Sequence, residues 1–314
     1  MPAQPQNALL IHNPRAGDGG RHRALDEARR ILAAGGIEAE LAETRGPGDA
    51  TELAGRAGAE GRGMVIVCGG DGTLNEAVNG LAAQENGRRV ALALLPGGTA
   101  NVLAKELGIP WNLPRAAELL LRCRAQEIAL GLATPLAQPG KKRYFISVAG
   151  AGPDGMIVYS LDPALKARVG ILAYWYEGIR QAIGYKFPKL RIVSAEQRME
   201  ATIIIVGRTK HYGGPFQITT GADLREDRFE LVALTSQSVL RYLSYLPVLW
   251  FGDLRKNKGV HFWKSDAVVC EPAGEEAVYA QVDGEPLARL PVEFRIVPRA
   301  LRLLMPPRAE GNAG

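Results

Sequence analysis

The chain has 314 residues, 46% hydrophobic and 23% charged, with a formal net charge of +5. This is the composition of a globular protein with material for one large domain or two ordinary ones, and it excludes wholesale disorder. Three scattered cysteines (Cys68, Cys123, Cys270) exclude a disulfide framework or a zinc centre and fit a reducing cytoplasm; with no secretory signal and no apolar run of about 18 residues, no membrane-spanning helix is expected.

In chain order, Ala8–His12 reads as a strand and Arg23–Ala34 as an amphipathic helix stopped by Gly35-Gly36. Ile37–Ala42 is a second strand, and a helix starts at Asp49. Met64–Cys68, a short apolar run between glycines, reads as a buried parallel strand. Helix Leu74–Ala83, strand Val90–Leu95 and helix Ala100–Leu107 follow. Strand–helix alternation with short loops implies a doubly wound parallel sheet. After Glu127 the pattern changes to β-type runs: Tyr144–Val148, Leu190–Ser194, Ala201–Val206, Phe216–Thr220, Phe229–Leu234, Ala267–Glu271 and Ala277–Val282, with two short strands in Pro291–Leu304. Their alternation predicts antiparallel sheets, hence a β-sandwich, interrupted by helices at Ala164–Ala182 and Ser238–Leu249.

The densest chemical signal is Gly69-Gly70-Asp71-Gly72-Thr73, between a buried strand and a helix. In an open parallel sheet, ligands bind beyond the carboxyl ends of the strands. Glycines there let backbone N–H groups approach phosphate oxygens, the helix N-terminus adds partial positive charge, and Asp71 offers a carboxylate to a phosphate-bound divalent ion. Leu95-Pro96-Gly97-Gly98-Thr99-Ala100-Asn101 repeats this logic one strand later, and Asn13-Pro14-Arg15-Ala16-Gly17-Asp18-Gly19-Gly20 follows the first strand. Three such loops on one sheet edge make a nucleotide site. Neither a Gly-x-x-x-x-Gly-Lys-Ser/Thr loop nor an opening Gly-x-Gly-x-x-Gly is present, which argues against a Walker-type NTPase and a dinucleotide Rossmann site.

These residues resemble the diacylglycerol kinase catalytic family, which includes bacterial lipid kinases and sphingosine kinases. The resemblance rests on Asn13-Pro14 with Gly17, Thr44, Gly69 to Thr73 extended by Asn75-Glu76, and Pro96 to Asn101. It continues through Gly152-Pro153-Asp154, Leu224 to Phe229 and Val282-Asp283-Gly284-Glu285. It implies an α/β ATP-binding domain over residues 1–128, to which 297–314 return. A β-sandwich lipid-binding domain over 129–296 follows, with the active site in the cleft between them. Carried over residue by residue, it implies that Asn13, Thr44, Gly69, Gly70, Asp71, Gly72, Thr73, Asn75, Gly97, Gly98, Thr99 and Asn101 hold ATP and Mg2+. Glu285 becomes the general base, and Leu224, Asp227 and Phe229 a structural magnesium site. The sequence departs from the family in having Val102 where many members have Asp, and Pro153 where an aromatic is common.

Two segments carry local charges of +4: Leu161–Arg191, with six Lys/Arg against Asp162 and Glu177, and Val239–Lys264, with five against Asp253. Aromatics lie among them, and Leu240, Leu243, Leu246, Leu249 and Trp250 form a roughly helical stripe. Such segments suit an interfacial membrane contact, with a core helix and solvated flank as the plain alternative. The expected partners are therefore a lipid substrate at a membrane surface, no nucleic acid, and room for a homodimer; the protein is expected to be cytoplasmic and peripherally membrane-associated. Competing readings are an NAD kinase-like enzyme, whose Gly-Gly-Asp-Gly-Thr loop is similar, and a non-catalytic nucleotide-binding regulator. Asp71 and Glu285 together favour catalysis.

Overall fold

The computed structural model describes residues 7–16, 22–160, 187–212, 216–251 and 253–307. Gly17 to Gly20 of the first loop, the expected helix Ala164–Ala182 and most of the first basic, aromatic segment lie outside the described residues. The chain divides into two compact units, Met1–Ile128 with Arg299–Gly314, and Ala129–Pro298.

In the first unit the strands β1 (Asn7–His12), β2 (Glu38–Glu43), β3 (Met64–Gly69) and β4 (Ala91–Pro96) are parallel, in the order β2-β1-β3-β4. Near the end of the chain, Arg302 and Leu303 pair in parallel with Ala91 and Leu92 of β4. All six positions of β3 and of β4 are buried, as expected of strands covered on both faces. On the edge strand β2, Glu38, Glu40 and Glu43 are exposed, and charge on an edge opposes pairing with other chains. Helix α1 (His22–Ala34) buries Leu25, Ala28 and Leu32, one face at helical spacing. Helices α2 (Asp49–Ala57) and α3 (Asp71–Ala82) touch backbone to backbone: a Cβ on Gly80 would stand 2.2 Å from the Thr51 carbonyl oxygen. Helix α4 spans Val102–Glu106, and α5 (Leu113–Leu120), not anticipated from the sequence, starts at Asn112, whose side chain accepts the Arg115 N–H.

Two helix starts differ from expectation, with functional consequences. Helix α3 begins at Asp71 rather than Leu74, because Gly70 is extended (φ −91°, ψ −175°) and its carbonyl accepts the Leu74 N–H. Asp71, Gly72 and Thr73 therefore form the first helical turn, whose N–H groups have no intrahelical acceptor. Helix α4 begins at Val102 rather than Ala100, because Asn101 adopts the left-handed conformation (φ 46°) as its N-cap.

The second unit is built of β-structure, as predicted. Its strands are β5 (Arg124–Pro135, entering from the first unit), β6 (Arg143–Phe145), β7 (Val148–Ala151), β8 (Leu190–Ser194), β9 (Arg198–Ala201) and β10 (Ile203–Gly207). Then follow β11 (His211–Tyr212), β12 (Phe216–Gln217), β13 (Phe229–Leu234), β14 (Val260–Ser265), β15 (Ala267–Pro272), β16 (Tyr279–Val282), β17 (Glu285–Arg289) and β18 (Val292–Met305). One antiparallel sheet has the order β14-β13-β10-β7-β16-β17. Facing it are β8, β9, β15 and the first part of β18. Their inner residues share one core: Ile204, Val206, Phe229, Leu231 and Val282 pack with Ile192, Val268, Val292 and Phe294. The intervening Ile205, Val232 and Leu234 point the other way, where Tyr245 of α7 (Val239–Phe251) and Leu254 cover them. A sheet covered on both faces explains why Ile203–Val206 is an unbroken apolar run.

Three strand expectations are corrected. Tyr144–Val148 is two strands, interrupted where the N–H groups of Ile146 and Ser147 turn to a side chain. Ala201–Val206 is likewise split, into β9 and β10. Pro291–Leu304 is one 14-residue strand, β18, which passes through Pro298 and a left-handed Arg299 (φ 48°) without ending. Helix α6 (Pro153–Ser160) lay hidden in the Gly-Pro-Asp motif: Pro153 opens it and Asp154 sits in its first turn.

Candidate active site

The four parallel strands of the first unit end on one edge, and each carboxyl end carries expected nucleotide residues: Asn13 after β1, Thr44 after β2, Gly69 to Thr73 at β3, and Gly97 to Asn101 at β4. The structure brings them together through hydrogen bonds between loops. The Asn13 N–H donates to the Cys68 carbonyl at 3.0 Å, and its Nδ2 to Thr73 Oγ1 at 3.0 Å. The Thr44 N–H donates to the His12 carbonyl at 2.9 Å.

The two central loops lie back to back. The Gly97 N–H donates to the Gly69 carbonyl at 2.9 Å. A Cβ on Gly98 would stand 2.5 Å from the Gly70 Cα, so close approach demands glycine there. Asn101 closes the second loop on itself: its Oδ1 accepts the Gly98 N–H at 3.0 Å and its Nδ2 donates to the Gly98 carbonyl at 2.8 Å. Asp71 then joins the loops, its Oδ1 accepting the Val102 N–H at 2.7 Å. Val102 thus contributes its backbone N–H to the joined loops, and the carboxylate that follows β3 caps α4.

The expected residues are not equivalent. Thr99 is exposed, and Thr44, Gly70, Asp71 and Gly72 are half-buried, open to a ligand. Asn75 is fully buried, its Oδ1 accepting from Asn79 Nδ2 at 3.2 Å, and so stands beneath the loop rather than on its open side. The donor set fits a magnesium–nucleotide: backbone N–H groups at a helix N-terminus for phosphates, and a hard carboxylate oxygen beside them.

Glu285 and the trio Leu224, Asp227 and Phe229 belong to the second unit. Asp283 and Gly284 (φ 47° and 78°) form the two-residue hairpin between β16 and β17, the conformation that Asp-Gly favours. The Asp283 carboxylate accepts three consecutive backbone N–H groups, from Ile146 (3.0 Å), Ser147 (2.9 Å) and Val148 (3.0 Å). The hairpin is thereby pinned, and half-buried Glu285 is set at the head of β17. Gln281 supports the same turn: its Oε1 accepts the Gly284 N–H at 2.9 Å while its Nε2 donates to Asp154 Oδ2 at 2.7 Å. Tyr212 donates its hydroxyl to the other Asp154 oxygen. Burial holds the Asp154 carboxyl above the usual range, and those two hydrogen bonds offset only part of the shift.

Sequence reasoning missed Asp283 as an anchor, although the Asp-Gly pair between two β runs was a visible hairpin signal. It also missed Arg208, a lone charge directly after the apolar strand β10. Arg208 is fully buried and donates to the Leu224 carbonyl, one of the three groups expected to hold a structural metal.

Comparison with known proteins agrees with this geometry. Residues 7–133 match the diacylglycerol kinase catalytic domain, and residues 147–305 the YegS C-terminal NAD kinase beta sandwich-like domain. A diacylglycerol kinase of Bacillus subtilis is 28% identical over 309 residues, covering 96% of this chain and 97% of its own. One from Staphylococcus aureus is 28% identical, covering 96% and 93%. The crystal structure of a diacylglycerol kinase from Bacillus anthracis superposes with a TM-score of 0.78 at 25% identity, over 97% of this chain and 99% of that one.

Proposed function

Since the chain belongs to the diacylglycerol kinase catalytic-domain family, we propose that it transfers the γ-phosphoryl group of ATP, with magnesium, to a hydroxyl of diacylglycerol or a related lipid. That it is a lipid kinase, acting on an alcohol acceptor, follows from relatives of that activity that span nearly the whole chain. The observation that carries the ATP reading is the pair of loops locked together by Asp71 and the Val102 N–H at the carboxyl ends of β3 and β4.

Phosphoryl transfer asks mainly for positioning and charge neutralisation. The first turn of α3 presents N–H groups to the phosphates, and Gly70 and Gly98 keep the approach clear of side chains. Asp71 offers a carboxylate beside them, Asn13 steadies Thr73, and Thr44 and Thr99 add hydroxyls. Magnesium, when bound, neutralises phosphate charge as it shifts towards the leaving oxygen. Glu285 is the proposed base, taking the proton of the lipid hydroxyl as it attacks the phosphorus. Its support is the hairpin pinned by Asp283, which fixes the backbone that carries Glu285.

The lipid is met at a bilayer surface. Leu240 and Leu243 of α7 are 77% and 46% exposed while Tyr245 on the opposite side is buried, so apolar residues face outward from a covered helix. Exposed Arg241, Lys256 and Lys258 lie near in sequence; Arg255 instead pairs with buried Glu230, and Lys264 with Glu226. Apolar side chains among cations suit an anionic interface. No helix among the described residues is long and apolar enough to cross a membrane.

The test is radiolabel transfer from ATP to diacylglycerol, phosphatidylglycerol, isoprenol and sphingoid-base micelles, with NAD as a further acceptor, for wild type and Glu285→Gln. Transfer to a lipid should fall by roughly 10²–10⁴ in the variant, while magnesium–ATP affinity in calorimetry stays within about twofold, since the nucleotide loops are unaltered. Full transfer by Glu285→Gln removes it as the base, and phosphorylation of NAD alone overturns the lipid assignment.

A further inference from the structure

Arg208 follows β10 directly and is the largest fully buried side chain described. Its Nη1 donates to the carbonyls of Glu226 and Arg228 (2.9 Å for the latter), its Nη2 to those of Leu224 (2.8 Å) and Ala129 (3.1 Å). Three of the four carbonyls come from one turn, Leu224–Arg228, and the fourth from β5. The four Nη hydrogens of this planar fork are thus spread over four oxygens, the use for which a guanidinium is better shaped than an ammonium. A guanidinium is protonated throughout the neutral range, so Arg208 sets a cation against these oxygens.

The family resemblance assigns this same turn to a structural magnesium, held by the carbonyls of Leu224 and Phe229 and the carboxylate of Asp227. The residues present do not fit it. The Leu224 carbonyl already accepts from the Arg208 guanidinium at 2.8 Å. Asp227 is exposed, but a metal on the Leu224 carbonyl would stand beside a fully buried guanidinium already bonded to that oxygen, where like charges repel. We propose that Arg208 is a built-in cation that replaces the structural metal, tying the Leu224–Phe229 turn to β5 and β10 and making the turn independent of divalent ions.

Nucleotide-free wild-type protein, dialysed against chelator or against magnesium or calcium chloride, tests this by metal content and heat-denaturation midpoint. A ligand that stabilises the folded state must raise the midpoint, so a turn that needs no ion gives the same midpoint in all three buffers and no stoichiometric metal. Arg208→Ala should lower the midpoint by several degrees, and Arg208→Lys by less. One equivalent of tightly held metal, or a chelator-induced fall in the midpoint that Asp227→Asn abolishes, overturns the proposal. If the Arg208 variants fail to accumulate, the wild-type measurements still decide it. Neither readout requires turnover, so the outcome stands apart from the kinase assignment.

Discussion

Replacing Gly98 by alanine tests whether the spacing of the two glycine loops sets the nucleotide geometry. The added Cβ would stand 2.5 Å from the Gly70 Cα and 3.0 Å from Asn101 Oδ1. Ordinary carbon–carbon contact is about 3.5–4.0 Å, so the loops must part by ~1 Å. Gly98 does not have a positive φ, so the cost is steric rather than conformational. Overpacking of this kind costs roughly 1–3 kcal/mol. A displacement of about 1 Å at a reacting phosphate costs on the order of 10²-fold in rate. Gly46→Ala is the control: nothing lies within 4 Å of its added Cβ and its φ is not positive. We expect Gly98→Ala to lose about 10²-fold in kcat/KM for ATP in a lipid-phosphorylation assay, with a lowered urea midpoint, and Gly46→Ala to match wild type in both. If Gly98→Ala is destabilised yet fully active, the loops do not position the nucleotide as argued. If it is neither, the close approach of Gly70 and Gly98 is not a constraint.

Asp283→Ala strips three backbone N–H groups of their acceptor; since each unsatisfied group costs about 1–3 kcal/mol, a loss of at least ~3 kcal/mol is expected in denaturant unfolding, and about half of that for Asp283→Asn, which keeps one oxygen. A loss below that of an average surface substitution would refute the anchor. Asp154 supplies a pH prediction. Its folded pKa lies above the ordinary 3.8, so the folded state binds the proton more tightly, and stability falls as pH rises through and above that value. Asp154→Asn should therefore gain on wild type between acid and neutral pH, and a constant difference would refute the buried charge. Replacing both Leu240 and Leu243 by serine should leave the denaturation midpoint unchanged. Because burying a leucine is worth ~1.5–3 kcal/mol, affinity for anionic vesicles should fall at least about tenfold per residue. Unaltered vesicle binding would remove α7 from the membrane contact.

Local features are legible in the order of residues alone. The apolar runs Met64–Cys68 and Val90–Leu95 mark buried parallel strands, and the glycines after them mark loops open to phosphate. The change at Glu127 to alternating runs marks the β-structure of the second unit. Misreadings arise where one local signal serves two structures. Pro298 resembles a strand break yet lies within β18, and Gly-Pro-Asp resembles a loop yet opens α6.

Residue type and spacing alone determined where strands end, where glycine permits a backbone to approach an anion, and which carboxylates are candidates for chemistry. Those properties belong to a few consecutive residues. The partner of each polar group was decided only by tertiary structure. Asp71 caps a helix 31 residues away, Asp283 holds N–H groups up to 137 residues away, and Arg208 reaches a carbonyl 79 residues back. Such pairs depend on the order of strands in a sheet and on which turn a buried charge meets. The same aspartate would read identically in sequence whether it bound a metal or capped a helix, and the same arginine whether it met solvent or, as Arg208 does, four carbonyls.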